Sequence, residues 1–410
     1  MSPEIRRVRE DELAAFVESM AVSFLERPDV EKVAAEVKTL WDLDRTWAAF
    51  DGQRVCGTFR SWPTELTVPG LARVPAAAVA AVTVLPTHRR RGVLRAMVAA
   101  EHGAARERGE AIGLLYASEY PIYGRFGYGA GCRAATWTLD TMATRFRGEP
   151  ATSVEIAKPT EETRDLLKEV FHAWRLRQPG EIRRRDFDWD FDLALRPSRW
   201  GPDWKGYLAL HRDGSGGVDG YARYHTDEKW DQRQPRYTLT VDELHALTDE
   251  AYAALWRYLA DVDWVATVKA ERRSPNERMP WLLTNHRAAT ASDVGDGLWV
   301  RLFDVPGALA SRTYEREATL VLEVVDPEVQ GGGRTRVQLE AGVDGATCRE
   351  TDRTRDLTLH IAALGAAYLG GTRLSDAVLA DGVDEHRAGA LREADGVFRT
   401  LDEPWCSTFF

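Results

Sequence analysis

Residues Val82-Thr-Val-Leu-Pro-Thr-His-Arg-Arg-Arg-Gly-Val-Leu-Arg-Ala-Met97 pass from a strand pattern to a helix pattern, with Arg89, Arg90, Arg91, Gly92 and Arg95 at the joint. The run Val79 to Leu85 is small and apolar, as in a strand covered on both faces, and Pro86 ends it. Beyond the arginines, Leu94, Met97, Val98, Ala104 and Ala105 fall on one face of a helix that stops near Gly109. A strand, a short loop and a helix start aim free backbone N–H groups and a positive dipole end at one point. Gly92 lets a ligand approach the backbone closely, and the arginines add fixed charge. The joint reads as a pyrophosphate cradle. A solvated basic run at a helix start has the same composition, and this stretch alone does not separate the two. It lacks both the GxxxxGK[ST] spacing of a triphosphate loop and the GxGxxG of a dinucleotide site. No aromatic interleaving or second basic cluster accompanies it, which argues against a nucleic-acid patch.

Working outward, the order before the joint is a strand (Ile5 to Arg9), a helix with an acidic start (Asp11 to Phe24), and a hairpin from Arg45 to Trp62 turning at Asp51-Gly52. After it comes a buried strand, Ala111 to Ser118. Residues 206 to 290 repeat part of that order: paired strands (Gly206 to His211, Val218 to His225), a strand Arg236 to Leu244, a helix with Ala251, Tyr252, Leu255, Trp256 and Leu259 on one face, and a strand Asp263 to Lys269. The second joint, Val241 to Glu250, has no glycine and no arginine. If the segments share a fold, only the first keeps the cradle. From about Leu298 the pattern changes, with strands Ala318 to Val325 and Arg336 to Glu340, a loop tip at Gly331 to Gly333, and a helix Ile361 to Leu369.

The 410-residue chain is long enough for two or three domains, and its formal charge of -10 does not fit a DNA binder or a polybasic membrane binder. Residues 1–150 carry 20 Lys and Arg against 19 Asp and Glu, so the acidity lies in the rear. An acidic rear fits a cationic ligand, and equally an acidic surface with no partner. Cys56, Cys132, Cys348 and Cys406 form no CxxC and have no His at metal-ligand spacing, which fits a reducing cytoplasm. No apolar run approaches a membrane span. Asp186-Phe-Asp-Trp-Asp-Phe-Asp192 has a calcium-loop rhythm, but Phe191 and Pro197 stand where the glycine and glutamate are needed. Its alternation reads instead as an aromatic face turned inward and an acidic face in solvent. No metal is expected, and the histidines, with no HxxxH pairing, read as surface or satisfied core residues.

Arg89-Arg-Arg-Gly92-Val-Leu94 resembles the coenzyme A loop, [QR]-x-x-G-x-[GA], of the GCN5-related N-acetyltransferases (GNAT), with Leu94 in place of the final small residue. Tyr123-Gly-Arg-Phe-Gly-Tyr128 is similar to that superfamily's Tyr-x-x-x-Gly-aromatic signature. Pro86 to Gly92, Tyr116-Ala-Ser-Glu119 and Ile122 to Gly129 resemble the Eis (enhanced intracellular survival) proteins more narrowly. The resemblance is dense over residues 82–129 and consistent in order along the whole chain. It implies an α+β, mixed α/β protein of tandem GNAT folds followed by a sterol-carrier-like domain. The expected divisions are 1–147, catalytic and binding acetyl-CoA; 148–297, GNAT-like without a coenzyme loop; and 298–410, sterol-carrier-like, its C-terminus reaching the active site.

The resemblance also implies roles. The backbone of Val82, Thr83 and Val84 would hold the pantetheine arm and polarise the thioester. Arg90, Arg91, Gly92, Val93, Leu94 and Arg95 would hold the pyrophosphate, with Ser118 and Glu119 as further coenzyme contacts. Tyr123 matches the general acid, and the C-terminal carboxylate, on Phe410, the general base. A tyrosine near pKa 10 and a thiol near 8.5 leave full proton transfer uphill by roughly 1.5 units, about 2 kcal/mol, so Tyr123 needs a lowered pKa or acts as a hydrogen-bond donor. Phe409 stands where the best-known member of that family has an acidic residue before its terminal Phe. The implied substrates are acetyl-CoA and a small cationic amine, with aminoglycosides as the family example. Two alternatives stay open: acetylation of lysine side chains, peptides or other small amines, and a catalytically silent acyl-CoA or lipid-binding protein. A cytoplasmic homohexamer without nucleic-acid or membrane partners completes the expectation.

Overall fold

The computed structural model of the chain describes residues 3–148, 154–198, 202–328, 333–380 and 382–410. Gly331 and Gly332 of the expected loop tip lie outside them. The chain divides into two compact units, one of residues 1–132, 298–404 and 409–410, the other of 133–297 and 405–408.

The first unit begins with β1 (Glu4–Arg7), α1 (Leu13–Ser23), α2 (Val30–Leu40), β2 (Thr46–Asp51), β3 (Arg54–Thr67), β4 (Arg73–Val84), α3 (Val93–Glu107), β5 (Ile112–Tyr116) and β6 (Gly129–Ala130). The helix α2 is absent from the sequence reading; its start is capped by Asp29, which accepts from Lys32 N. The first sheet has the order β1-β2-β3-β4-β5-β16-β6, in which β16 is the later strand Leu298–Leu302, and is antiparallel except for β4 beside β5. Phe59, Val79, Val93, Met97, Val98 and Leu115 form the core between this sheet and α3.

The second unit contains β7 (Arg133–Asp140), β8 (Val154–Ala157), α4 (Glu161–Arg175), α5 (Asp186–Asp192), β9 (Tyr207–Arg212), β10 (Val218–Asp227), β11 (Trp230–Asp231), β12 (Gln234–Pro235), β13 (Tyr237–Ala246), α6 (Asp249–Ala260), β14 (Val265–Arg273) and β15 (Ala289–Asp296). Its main sheet runs β15-β7-β14-β13-β10-β9-β8, with β13 and β14 parallel, so the order of the first sheet recurs. The segment Asp186 to Asp192 corrects the alternating reading: it is the helix α5. Trp189 is buried, and Asp188 and Asp190 pair with Arg185 and Arg164 rather than standing free in solvent. Neighbouring arginines outweigh the alternation. Trp405 to Thr408 belong to this unit, where Ser407 N and Oγ both donate to Glu181 Oε2.

The chain returns to the first unit with β16 (Leu298–Leu302), which fills the gap between β5 and β6. There follow α7 (Val305–Ala310), β17 (Ala318–Asp326), β18 (Gly333–Gly342), β19 (Gly345–Glu350), β20 (Leu357–His360), α8 (Ile361–Ala367), α9 (Leu374–Ala377), β21 (Val383–Glu385) and α10 (Ala390–Phe398). These strands form a separate sheet, β19-β18-β17-β20-β21, and α8 packs on β16.

Candidate active site

The site begins with a bulge. Thr58 of β3 faces Thr83 of β4 and Arg60 faces Ala80, so two residues of β4 oppose Phe59 alone. Ala81 takes up the extra residue in the left-handed region at φ 54°. Thr58 Oγ1 donates to the Ala81 carbonyl at 2.7 Å and lies 2.7 Å from Thr83 Oγ1, which holds the bulge from the neighbouring strand. On its other edge β4 pairs with β5 only from Ala76 to Val79, opposite Ile112 to Leu115. Beyond Val79 the two strands part. Val82, Thr83 and Val84 therefore present a backbone edge that no strand among the described residues covers.

Past β4, Pro86 to His88 form one short turn, with buried His88 held between Thr87 and Asp51. Arg90 at φ 64° and Gly92 at φ 79° curl the chain into the start of α3. Gly92 is the residue before the helix. A Cβ there would meet nothing within 4 Å, so the backbone angle, not crowding, calls for glycine, and the space above it is open. The first intrahelical bond runs from Ala96 N to Gly92 O, which leaves the N–H groups of Val93, Leu94 and Arg95 ahead of it. The helix start has no side-chain cap and no acidic residue in its first turn. Arg89, Arg90, Arg91 and Arg95 are all exposed, and none pairs with a carboxylate within 4.0 Å among the described residues. Positive charge and free N–H groups converge here without a protein partner among the described residues.

The equivalent joint in the second unit is closed. Thr248 caps α6 by accepting from Ala251 N, and donates in turn to Asp219 Oδ2 at 2.8 Å. Asp249 and Glu250 occupy the first turn and satisfy the dipole. An anion has no place there. The missing glycine and arginines of the second joint thus coincide with a self-capped helix.

Tyr123 stands before a short turn, Gly124 to Phe126, on the same core cluster as Leu115 and Met97, with Val82, Val84 and Leu94 packed against it. Leu94 therefore points its larger side chain into this cluster, where the family pattern has a glycine or alanine. Tyr123 is 7% exposed, and its hydroxyl makes no hydrogen bond among the described residues. Burial, and secondarily the charge of Glu119, push its pKa up to about 12. Tyr128, its edge-on neighbour at 6.2 Å, is different: its hydroxyl is committed to His102 Nε2 at 3.1 Å, and burial holds it neutral. Ser118 and Glu119 are exposed beyond the end of β5.

Phe410 lies where β4 and β5 part. Its ring is edge-on to Trp62 of β3 at 4.9 Å and to Tyr116, the last residue of β5, at 5.2 Å, while Phe409 tilts against Tyr116 at 4.8 Å. Trp62 faces Ala78 and Tyr116 follows the partner of Val79, so both flank the splay. Trp62 and the supports of the Tyr123 turn, His102, Arg301, Asp326 and Glu328, were not found by sequence reasoning. They are scattered along the chain and match no local spacing.

A splayed β4 and β5, an uncapped basic helix start and a tyrosine turn define an N-acetyltransferase of the GNAT class. Residues 4–131 and 180–302 each match an acetyltransferase (GNAT) domain family, and 305–407 match a sterol carrier protein domain. A Streptomyces griseus protein described as an uncharacterized N-acetyltransferase is 40% identical, with 100% of both chains covered. N-acetyltransferase Eis of Mycobacterium tuberculosis is 35% identical over 85% of this chain and 84% of its own. The crystal structure of Eis1 from Mycobacterium abscessus superposes with a TM-score of 0.85, at 31% identity and full coverage of both chains. The chain belongs to the Eis-like GNAT N-acetyltransferases, with two GNAT domains and a sterol-carrier-like C-terminal domain.

Proposed function

We propose that this N-acetyltransferase takes its acetyl group from acetyl-CoA and transfers it directly to a primary amine of a small cationic acceptor. The observation that carries the reading is the unpaired arginine cluster around an uncapped α3 N-terminus, set beside the open edge of β4. Arg90, Arg91 and Arg95, with the N–H groups of Val93 and Leu94 and the open backbone of Gly92, suit a pyrophosphate. Val82, Thr83 and Val84 offer the extended edge that a pantetheine amide chain can pair with. Ser118 and Glu119 complete the coenzyme contacts in this reading.

Tyr123 serves as the acid at the leaving sulfur. With its pKa near 12, full transfer to a thiolate of pKa 8.5 is uphill by roughly 3.5 units, about 5 kcal/mol. Tyr123 therefore acts chiefly as a hydrogen-bond donor, and its unengaged hydroxyl is available for that. The carboxylate of Phe410 receives the amine's proton or passes it to water. Trp62, Tyr116 and Phe409 pack around Phe410, so an acceptor at its carboxylate meets aromatic side chains. Aminoglycosides are the acceptors the family resemblance implies, and the same grounds give a cytoplasmic homohexamer built from domains 1–147, 148–297 and 298–410.

The test is thiol release from acetyl-CoA with aminoglycosides, polyamines and lysine peptides, beside an amine-free control. Release that depends on a small cationic amine supports the reading and ranks acceptors. Preference for lysine peptides moves the acceptor to protein. Coenzyme A binding without release to any amine would leave an acyl-CoA-binding protein.

A further inference from the structure

The backbone carbonyl of Tyr123 accepts two hydrogen bonds, from Phe126 N at 3.0 Å and Tyr128 N at 3.2 Å. Each of those residues is held by a separate buried group. The Phe126 carbonyl accepts from Arg301 Nη1 at 2.8 Å, and the Tyr128 hydroxyl meets His102 Nε2 at 3.1 Å. Both supports lead to one corner of the C-terminal sheet. Arg301 Nη2 pairs with Asp326 Oδ2 at 2.7 Å, and His102 Nδ1 meets Glu328 Oε2 at 2.8 Å. Asp326 Oδ1 accepts from Glu328 N at 3.1 Å, which fixes the two carboxyl groups relative to each other.

The turn closes on Arg301 so tightly that a Cβ at Gly127, itself at φ 81°, would collide with the guanidinium. Arg301 is fully buried, and its Nε finds no acceptor among the described residues. A buried cation with one carboxylate partner, as Arg301 has among the described residues, gains little stability over an apolar side chain of similar size. What the arrangement supplies is fixed geometry.

We propose that the Asp326 and Glu328 corner of the sterol-carrier-like domain is a positioning device for Tyr123, acting through Arg301 and His102. Resting on the assignment of Tyr123 to the leaving sulfur, this gives the domain a part in catalysis apart from the chain terminus. The positioning residues touch neither substrate. They set where the Tyr123 hydroxyl stands, and displacement by about 1 Å can cost up to about 100-fold in rate.

The experiment is a double-mutant cycle in kcat at saturating acetyl-CoA and amine, with Arg301→Gln and the milder Asp326→Asn each made in wild-type and Tyr123→Phe proteins. Calorimetric coenzyme A binding and thermal unfolding report whether each variant is folded. In the wild-type background the expected kcat loss is about 10- to 100-fold for Arg301→Gln and smaller for Asp326→Asn, with KM for acetyl-CoA within about twofold. In Tyr123→Phe the same substitutions should change kcat by less than about twofold. Equal losses in both backgrounds, or unchanged kcat in folded Arg301→Gln, would overturn the positioning role. Full activity in Tyr123→Phe alone would instead overturn the assignment of Tyr123. Should Arg301→Gln not fold, Asp326→Asn decides by the same criteria.

Discussion

The ring of Phe410 stands edge-on to Trp62, 4.9 Å between centroids and 81° between planes. A residue so docked has its main chain fixed as well, since one ring is held by both Trp62 and Tyr116. Extending the chain by one residue after Phe410 should keep the ring contacts, turn the Phe410 carboxylate into a peptide carbonyl and move the free carboxylate one residue away. The expected result is a loss of turnover of at least about 100-fold, with coenzyme A affinity nearly unchanged by calorimetry. Equal turnover in the extended protein would take the carboxylate out of the mechanism.

The basic joint makes a prediction about salt. Arg90→Gln and Arg91→Gln should each weaken coenzyme A binding by about 10-fold, equivalent to about 1.4 kcal/mol. Wild-type affinity should fall as ionic strength rises, because the four arginines are exposed and screened, and a variant carrying both Arg90→Gln and Arg91→Gln should respond less. Titrations at low and high salt measure both. A salt response that is identical in the two proteins would remove these side chains from the coenzyme site.

Gly92→Ala tests backbone shape apart from charge. No neighbour obstructs the added methyl, so its cost comes from the left-handed angle, roughly 1 to 2 kcal/mol of strain if the loop keeps its course. Coenzyme A binding should weaken by a similar margin. Unchanged affinity together with unchanged thermal stability would count against that loop path.

For pH, Tyr123 must carry its proton, and with a pKa near 12 it does so throughout the usual range. The acceptor amine must be neutral, so kcat/KM should climb between about pH 7 and about pH 10 without an alkaline downturn. A limb falling near pH 9 would show that the acid is some other group, or that substrate lowers the tyrosine's pKa.

Glu328 gives a stability prediction. Burial, with Asp326 adding to it, raises its pKa to about 7 against the opposing pull of Arg301, Arg106 and Arg95. The folded state binds this proton more tightly than the unfolded state, whose carboxyl titrates near 4.3. The stability gained is complete below about pH 4 and is lost as pH rises through about 7. Glu328→Gln should therefore raise the unfolding temperature relative to wild type more at about pH 8 than at about pH 5. An equal difference at both would mean the side chain titrates normally.

The cradle was legible in sequence because its features are local, whereas contacts made only by folding were not. The strand-to-helix joint, its glycine and arginines, and its altered repeat near Thr248 all lie within short windows where periodicity and turn chemistry act. The bulge at Ala81 was not, because it depends on register against Phe59. The segment Asp186 to Asp192 misled because alternating side chains outlined a strand face, while Arg164 and Arg185 pair with its acids on a helix. The supports of Tyr123 come from positions 102, 301, 326 and 328, joined only by folding.

The placement of β16 bears on how this protein is made. The strand that bridges β5 and β6 is translated after residues 133–297 of the second unit. During synthesis the first sheet must wait with β5 open on that edge while more than a hundred further residues emerge. An exposed strand edge is the feature most prone to mispairing with other chains. Nascent chains stalled before Leu298 should therefore be the most aggregation-prone, and the order of translation gives a chaperone a defined interval in which to act.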